Sequence, residues 1–325
     1  MTGWGVVATG GIADVVTSDM LLVPDVEVRA VSSRDTARAA DFARKHGIAR
    51  SYGDYRELLA DPSVDVVYVA TPHSSHFEVA RDALLAGKAV LCEKPLTVHL
   101  EDTEELVALA RRQGVFLMEA MWTRFNPLVR RLRRLVGDGA IGTVRSVQAD
   151  FGAVFPGELT HRLWDPALGG GSLLDVGIYP VSFAQMLLGE PESIVAHGSL
   201  HNTVDAEAAL LLRYPDGAFA QLSSSLVGHY PITATVVGTA GRIELPPAFF
   251  RANELVLTVL GAEAERETLT FQGHGYEYQI AEVHALVSAG KTESPEMTLD
   301  ETLAVARTLG TALGLLGVTY PKTVR

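Results

Sequence analysis

The sequence predicts an α/β protein in which a doubly wound parallel sheet is followed by an α+β half. Up to about residue 120, short apolar runs alternate with amphipathic stretches, the pattern of parallel strands covered by crossover helices. After that point, alternating strands separated by turn residues lead to two closing helices. The 325 residues, 47% of them hydrophobic, are enough for two ordinary domains, which we assign to residues 1–120 and 121–325.

In the first half, strands and helices alternate along the chain. The predicted strands are 4–8, 26–31, 66–70, 89–92 and 115–118, and the predicted helices are 36–45, 77–86 and 101–113. Asp35 is a candidate N-cap for the first of these helices, and Gly47 follows it as a C-terminal stop.

The second half begins with a helix and continues as strands. A helix is predicted over 127–136, strands over 144–151, 193–200, 206–214, 218–226 and 232–237, and closing helices over 277–289 and 299–316. Hairpin turns are indicated at Pro215-Asp216-Gly217 and at 238–241. The helices are therefore expected to cover one face of a largely antiparallel sheet.

Charge and composition limit the partners. Lys and Arg number 27 against 39 Asp and Glu, a net charge of −12, so neither nucleic acid nor an anionic membrane is expected as a partner, and a small-molecule substrate is favoured. No uninterrupted apolar segment approaches the ~20 residues of a membrane span, and the first residues do not resemble an export signal. Cys92 is the only cysteine, which suits a reducing compartment and predicts a cytoplasmic protein.

The turn after the first strand reads Ala8-Thr9-Gly10-Gly11-Ile12-Ala13, a dinucleotide fingerprint with Ala where its first glycine should be. Small residues between a strand and a helix let backbone N–H groups approach a pyrophosphate, and the helix dipole favours its charge. Thr9, Gly10, Gly11 and Ile12 are therefore candidate cofactor residues. An ordinary glycine turn is the alternative.

The second strand is followed by Ser32, Ser33 and Arg34, with Arg38 one helical turn further on. A carboxylate here would bind the ribose hydroxyls of NAD, whereas arginines and hydroxyls suit the 2′-phosphate of NADP. The sequence therefore favours NADP over NAD. The alternative is that both arginines are solvated helix residues.

Two further turns follow predicted strands. Thr71, Pro72, His73 and His76 come after the third strand, where doubly wound sheets bind ligands. The two histidines have neither a thiolate nor a strong carboxylate partner nearby, so we interpret the segment as a lining of the cofactor pocket and expect no metal. Glu93-Lys94-Pro95 ends the fourth strand and carries an ammonium group to the sheet edge where a nicotinamide ring would lie.

The segment from Leu168 to Pro180 contains three consecutive glycines followed by Asp175 and Tyr179. If the chain is helical from Ser172, these two residues are four apart and share one face, presenting a carboxylate and a phenol together. Pro180 predicts a kink, because it removes a helical hydrogen bond. The alternative is a glycine loop capping a core helix.

Together, the segments 8–13, 93–95, 118–125 and 169–179 resemble the Gfo/Idh/MocA oxidoreductases, closest to the branch of dimeric dihydrodiol dehydrogenases and glucose-fructose oxidoreductases. The likeness covers essentially the whole chain. It implies an N-terminal Rossmann domain, a C-terminal α+β domain with a large open, mostly antiparallel sheet for substrate binding and oligomerisation, and a tightly held nicotinamide cofactor. It also implies homodimers or homotetramers built through that sheet.

The resemblance further implies roles for individual residues. Lys94 corresponds to the lysine of the family's Glu-Lys-Pro motif, and Pro95 to a cis proline. Tyr179 stands at the catalytic tyrosine of this branch, and Asp175 at the acidic position before it. The two arginines after the second strand match residues that hold the NADP phosphate.

The resulting hypothesis is reversible hydride transfer between nicotinamide and a secondary alcohol or ketone carbon of a sugar, cyclic polyol or trans-dihydrodiol. Tyr179 would carry the proton, and Lys94 would favour its phenolate and orient the reacting oxygen. Asp175 would position the substrate hydroxyl or hold Lys94 charged. Candidate substrate-binding residues of the pocket wall, each also explained by packing, are Trp122, Arg124, His161, Arg162 and Trp164.

Three other functions remain open at this point. One is a nicotinamide-dependent glycosidase, in which transient oxidation acidifies a neighbouring carbon. Another is an oxidoreductase that recycles NADP without releasing it. The third is a non-catalytic NADP-binding sensor, against which the co-occurrence of Lys94, Asp175 and Tyr179 argues.

Overall fold

A computed structural model describes residues 1–155 and 161–322. The chain divides into two compact units. Unit 1 contains residues 1–122 and 271–302, and unit 2 contains residues 123–270 and 303–325. Each unit holds one sheet, which confirms the predicted fold class.

Unit 1 is built on a six-stranded parallel sheet in the order β3-β2-β1-β4-β5-β6, the order of a Rossmann fold. Its strands are β1 (Thr2–Val7), β2 (Val26–Ser32), β3 (Arg50–Tyr52), β4 (Val66–Val69), β5 (Ala89–Cys92) and β6 (Leu117–Glu119). Its helices are α1 (Gly11–Met20), α2 (Thr36–His46), α3 (Tyr55–Ala60), α4 (His76–Leu85) and α5 (Leu100–Gln113), with α8 (Glu277–Ser288) joining from the distant segment.

Local signals in this unit act as the sequence indicates. Asp35 accepts hydrogen bonds from the N–H groups of Ala37 and Arg38, which confirms it as the N-cap of α2. Gly47 ends the helix in the left-handed conformation, at φ 69°. The short elements β3 and α3 were not predicted, because three and six residues give too little periodicity to recognise.

Unit 2 is built on an eight-stranded sheet in the order β14-β13-β12-β11-β7-β10-β9-β8. Its strands are β7 (Val144–Gly152), β8 (Ser193–His201), β9 (Val204–Arg213), β10 (Phe219–Ser225), β11 (Ala234–Gly238), β12 (Gly241–Leu245), β13 (Glu254–Val259) and β14 (Glu265–Thr268). Its helices are α6 (Pro127–Gly137), α7 (Ile178–Leu188) and most of α9 (Leu299–Leu316). All pairings are antiparallel except that of β10 with β7, which is parallel.

The two predicted hairpin turns connect antiparallel pairs, β9 with β10 and β11 with β12. Strands β12 to β14 extend the sheet beyond the predicted set. Strand β14 reads Glu-Arg-Glu-Thr, and such a charged edge strand lacks the apolar alternation by which strands are recognised.

The segment of residues 271–302 packs within unit 1, whereas the domain division 1–120 and 121–325 assigns it to the second domain. Asp19 on α1 is almost fully buried and accepts hydrogen bonds from the backbone N–H groups of His274 and Tyr276. The N–H of Leu117 also donates to the carbonyl of Thr292. These contacts join residues far apart in the chain, so no local pattern announces them.

One segment, Pro166–Leu188, has the length and composition of a membrane span, although Asp175 interrupts its apolar residues. However, 83% of its most apolar window is buried inside the fold, as in a core helix. Within it, the residues Leu173–Gly177 form a π-helical turn that leads directly into α7. The widened turn precedes Pro180, which lacks an N–H for a regular helical bond, so the irregularity predicted at the proline takes this form.

Candidate active site

The turn between β1 and α1 leaves open space beside the start of a helix. Ala8 adopts φ 95°, a conformation that favours glycine, at the position where the fingerprint has its first glycine. Gly10 caps α1 without a side-chain hydrogen bond, and no described atom lies within 4 Å of where a side chain would begin at Gly10 or Gly11. The helix start therefore presents backbone N–H groups beside open space, as an anion site requires.

The end of β2 carries no carboxylate. Ser33 lies beyond it and its Oγ accepts a bond from the N–H of Asp35, whose own side chain caps α2. The side chains of Arg34 and Arg38 are exposed, and neither forms an ion pair within the described part of the chain. Two cations are thus left at this strand end for an anionic group.

Two buried hydroxyl oxygens near the sheet edge have no hydrogen-bond partner among the described residues. They are Ser32 Oγ at the end of β2 and Thr71 Oγ1 just after β4. In the strand order these two strands flank β1, whose end leads into the glycine turn. Buried polar atoms normally have partners, so this edge fits a dinucleotide rich in oxygen acceptors and hydroxyls.

His76 joins two of the predicted cofactor segments. Its Nδ1 lies 2.9 Å from the carbonyl oxygen of Pro95, and its Nε2 lies 2.9 Å from the carbonyl oxygen of Thr71. Burial lowers the pKa of His76, while the two carbonyl contacts act in the opposite direction. His73, also buried, contacts His76 ring to ring at 5.6 Å. The histidine pair therefore fixes the turn after β4 against the turn after β5.

A buried hydrogen bond stabilises the turn after β5. Tyr68 on β4 donates to Glu93 Oε1 at 2.7 Å. Burial, and secondarily the charge of Glu93, raises the pKa of Tyr68 well above its usual value, so the phenol remains a donor. The next peptide bond, Lys94–Pro95, is cis, as the resemblance implies. Lys94 therefore lies between two residues with buried contacts, Glu93, which binds Tyr68, and Pro95, whose carbonyl oxygen contacts His76.

Asp175 lies within the π-turn of unit 2, and its side chain is 9% exposed. Arg162 Nη1 lies 3.0 Å from Asp175 Oδ1 and donates to it. The side chain of Arg162 is itself 48% exposed, so the pair has one buried and one accessible member. Two residues predicted separately, one as catalytic and one as substrate-binding, are therefore in direct contact.

Tyr179 is 7% exposed and lies near the start of α7. Its ring packs against Phe151, at 5.4 Å between centroids, and against Phe250, at 5.7 Å, and these two phenylalanines stack on each other at 4.6 Å. The phenol ring is thus fixed by two aromatic neighbours from distant parts of the chain. The regular four-residue spacing assumed for Asp175 and Tyr179 does not apply, because Asp175 lies within the π-turn and Tyr179 lies in the α-helix that follows it.

Most of the other residues predicted to line the substrate pocket are buried in packing contacts. Arg124 is 1% exposed and donates to Ser182 Oγ, and Trp164 is 1% exposed in an apolar cluster. Trp122 stacks on Tyr276 at 4.1 Å. Trp122 is 3% exposed, so for all three residues the packing explanation has the stronger support, because burial leaves these side chains almost no surface for a substrate. His161 retains partial exposure.

Three residues at these sites were missed by the sequence analysis. Tyr68 lies in an apolar strand, and its pairing with Glu93 depends on two adjacent strands being in register. Phe250 follows Phe249 in a segment with no other signal. Asp205 is a fully buried carboxyl group in β9, and a charged residue inside an apolar strand was the one signal available for it. Among the described residues, no group of three or more His, Cys, Asp or Glu side chains could hold a metal ion.

Comparisons with known proteins agree with this architecture. A model of the GFO_IDH_MocA oxidoreductase family, NAD-binding Rossmann fold, matches residues 2–121, and a GFO/IDH/MocA C-terminal domain matches residues 129–244. The chain is 40% identical over 334 residues to the trans-1,2-dihydrobenzene-1,2-diol dehydrogenase of Mus musculus, with 99% of each chain covered.

Two solved structures are similar over nearly their whole length. One is the aldose-aldose oxidoreductase of Caulobacter crescentus complexed with glycerol, at 26% identity and TM-score 0.87, with 97% of both chains covered. The other is a 3-ketoreductase of Actinomadura kijaniata in complex with NADP and TDP-benzene, at 28% identity and TM-score 0.84, covering 97% of this chain and 98% of that one. The resemblance inferred from the motifs is therefore confirmed: the chain belongs to the Gfo/Idh/MocA family of oxidoreductases, with an NAD(P)-binding Rossmann fold.

Proposed function

We propose that the protein is an NADP-dependent dehydrogenase or reductase that interconverts a secondary alcohol and a ketone on a sugar, cyclic polyol or trans-dihydrodiol. The observation that carries the proposal is the position of the predicted cofactor residues. The glycine turn, the serine–arginine segment, the Thr71 turn and the Lys94 turn follow the carboxyl ends of β1, β2, β4 and β5. Ligands of doubly wound sheets bind at that edge.

The preference for NADP is part of the proposal. Arg34 and Arg38 offer two guanidinium groups without a competing carboxylate partner, and Ser32 Oγ and Thr71 Oγ1 offer unpartnered hydroxyls. A 2′-phosphate carries charge that the arginines neutralise. The relative from Actinomadura kijaniata was solved with NADP, which supports the same choice.

We propose Lys94, Tyr179 and Asp175 as the catalytic residues. When bound, the nicotinamide supplies the chemistry of hydride acceptance and donation. Tyr179 accepts the proton of the substrate hydroxyl during oxidation and returns it during reduction, and Lys94 donates a hydrogen bond to the reacting oxygen. Asp175, paired with Arg162, orients a second substrate hydroxyl.

The substrate class follows from two kinds of support. Trans-dihydrodiols are suggested by the relative from Mus musculus, and sugars by the aldose-aldose oxidoreductase from Caulobacter crescentus. Phe151 and Phe250 beside Tyr179 supply apolar ring surface, which suits a cyclic substrate with one polar edge. Of the predicted wall residues, Arg162 and His161 are proposed to contact the substrate, and the buried Trp122, Arg124 and Trp164 to support the wall from behind.

The test is turnover of NADP⁺ by the purified protein, followed by the absorbance of reduced nicotinamide. The substrates offered are trans-1,2-dihydrobenzene-1,2-diol, D-glucose and myo-inositol. Lys94→Ala and Tyr179→Phe are expected to lower kcat by about 10²-fold or more, the usual loss when general acid–base catalysis is removed. NADPH binding should be largely retained in both.

Matched controls separate catalysis from folding. Tyr214 is a buried tyrosine of unit 2 whose hydroxyl has no hydrogen-bond partner among the described residues, and Lys291 is an exposed lysine of unit 1. Tyr214→Phe and Lys291→Ala should keep the turnover of the natural chain. Equal turnover in Tyr179→Phe and Tyr214→Phe would refute the catalytic assignment.

A homodimer or homotetramer through the sheet of unit 2 is proposed on the exposed face of β8 to β10. Val195 is 63% exposed and pairs across the strands with Leu211, which is 46% exposed, and Phe219 on β10 is 37% exposed. An apolar patch of this kind on a sheet face suits a self-complementary interface. Light scattering should report an oligomer for the natural chain and a smaller species for Leu211→Asp. An unchanged mass would exclude this face.

A cytoplasmic location is proposed from the single, buried cysteine.

A further inference from the structure

Asp205 is a fully buried carboxyl group that none of the proposed catalytic steps uses. It extends from β9 toward the start of the helical segment that carries Asp175 and Tyr179. Its Oδ2 accepts a hydrogen bond from Ser172 Oγ at 2.7 Å and another from the N–H of Leu173 at 2.6 Å. A side chain from the sheet therefore satisfies the helix start, as an N-cap residue normally does from within the chain.

The same contacts extend along the whole π-turn. Ser172 Oγ also lies 2.9 Å from Ser224 Oγ on β10. A side chain at Gly177 would begin 3.0 Å from that serine oxygen, so the far end of the turn lies close against the same strand. Asp205 thus binds the start of the turn that contains Asp175, and Ser224 lies beside both of its ends.

The other carboxyl oxygen, Oδ1, has no hydrogen-bond partner among the described residues, and it lies directly against the glycine segment. Gly171 adopts φ 110°, and a side chain there would begin 2.3 Å from Asp205 Oδ1 and 2.9 Å from Tyr320 Oη. Tyr320 itself donates to the carbonyl oxygen of Gly170 at 2.6 Å. The backbone of the glycine segment therefore lies directly against the carboxyl group, and only glycine fits between them.

We propose that Asp205 is a positioning residue of the active site, which acts by holding residues 171–173 and thereby setting the place of Asp175 and Tyr179. The N–H of Asp175 donates to the carbonyl oxygen of Gly171, so a shift of the glycine backbone moves the residue that orients the substrate. The proposal rests on the proposed function, because it assigns a role toward the catalytic pair named there.

The essential feature is an acceptor oxygen at this place. Asp205→Asn keeps one oxygen for Ser172 and Leu173. Asp205→Ala leaves the N–H of Leu173 without its acceptor, removes one of the two partners of Ser172 and opens a cavity. We therefore expect Asp205→Ala to lower kcat about tenfold or more, while Asp205→Asn recovers most of the activity. The KM for NADP⁺ should stay within about twofold in both, because the proposed cofactor residues lie in unit 1.

Two measurements on the same variants test this. The first is steady-state kinetics with NADP⁺ and trans-1,2-dihydrobenzene-1,2-diol, and the second is amide hydrogen exchange of peptides covering residues 169–179. Exchange should rise about tenfold or more in Asp205→Ala and stay near the natural rate in Asp205→Asn. Ser172→Ala, a milder change, should show a smaller effect of the same sign. Asp54→Ala removes a capping carboxylate from α3 in unit 1 and should leave both readouts unchanged.

The outcomes separate this inference from the proposed function through Tyr179→Phe, measured in parallel. If Tyr179→Phe loses turnover while Asp205→Ala keeps it, Asp205 has no positioning role and the catalytic assignment stands. If Tyr179→Phe keeps full turnover, the proposed function fails, and exchange alone then decides whether Asp205 holds the turn. Unchanged exchange at residues 169–179 in Asp205→Ala would overturn the inference in either case.

Discussion

Arg162 Nη1 lies 3.0 Å from Asp175 Oδ1, so the carboxylate at the π-turn is neutralised by a cation of its own unit. The arginine is half exposed while the aspartate is largely buried. The residue proposed to orient the substrate and a residue proposed to contact it are thus hydrogen-bonded to each other. The position of Asp175 would therefore affect how a substrate binds to Arg162.

Removing this cation should therefore impair catalysis more than stability. Arg162→Ala removes a cation from the largely buried carboxylate of Asp175, and we expect kcat/KM for the alcohol substrate to fall about tenfold, with the KM for NADP⁺ unchanged. Arg162→Lys should recover part of the loss, because lysine keeps the charge but not the guanidinium geometry. Steady-state kinetics measures both.

The control for this variant is Arg307→Ala in the same unit. Arg307 pairs with Glu190 at 2.7 Å, and both side chains are more than 40% exposed. An exposed pair of this kind contributes little, so its kinetics should match the natural chain. Equal constants for the Arg162 and Arg307 variants would rule out a role for the Asp175 pair.

The cofactor preference is tested by replacing Arg34 and Arg38 together with Ala. Each arginine is expected to form charge-assisted bonds to the 2′-phosphate, so the Kd for NADPH should rise about 10²-fold while that for NADH changes by less than about threefold. Fluorescence titration of the reduced cofactors gives both constants. The control is Arg44→Ala, which changes an arginine in the last turn of α2, the helix that contains Arg38. Similar losses for the two cofactors would defeat the NADP assignment.

The positive φ of Ala8 predicts that replacing it with glycine increases the free energy of unfolding. At φ 95° its methyl group is strained, so Ala8→Gly should relieve that strain, while the more flexible unfolded chain offsets part of the gain. We expect the free energy of unfolding to increase by roughly 0.5–1 kcal/mol in denaturant titrations. Ala13→Gly, in the regular part of α1, should instead lower it by about 1 kcal/mol or more. A loss in both variants would mean that Ala8 is not strained.

Asp205 predicts a dependence of stability on pH. Burial raises the pKa of Asp205 to about 6, above the value of 3.8 for an unperturbed aspartate. The folded chain therefore binds this proton more tightly than the unfolded chain, so the stability contributed by the protonated group is present below about pH 4 and is lost as pH rises through about 6. Relative to Asp205→Asn, the natural chain should lose roughly 3 kcal/mol across this range.

Denaturant titrations at about pH 4 and about pH 7 measure the difference. Asp61 gives the opposite case, because its hydrogen bonds from Ser63 and Arg50 outweigh burial and hold its pKa below the usual range. Relative to Asp61→Asn, the natural chain should therefore gain stability as pH rises. A difference between natural chain and Asp205→Asn that does not change with pH would contradict the raised pKa.

Much of the fold was predicted from the sequence because its signals are local. Strand Ala89–Cys92 and helix Leu299–Leu316 have the predicted bounds, since their apolar patterns are continuous. The cap at Asp35 and the stop at Gly47 depend on residues at most a few positions away. The turns proposed to bind the cofactor were located in the same way, because each follows directly from the end of a strand.

Other features were decided only by the tertiary structure. The return of residues 271–302 to unit 1 depends on Asp19, more than 250 positions from the backbone N–H groups it binds. The burial of Arg124 and the contacts of Asp205 and Tyr179 likewise depend on which distant segments pack together. The sequence by itself therefore determined the order of elements and the residue types at the strand ends. Long-range packing decided which side chains are exposed, paired or covered. Those contacts form only when segments far apart in the sequence come together, so local patterns do not contain them.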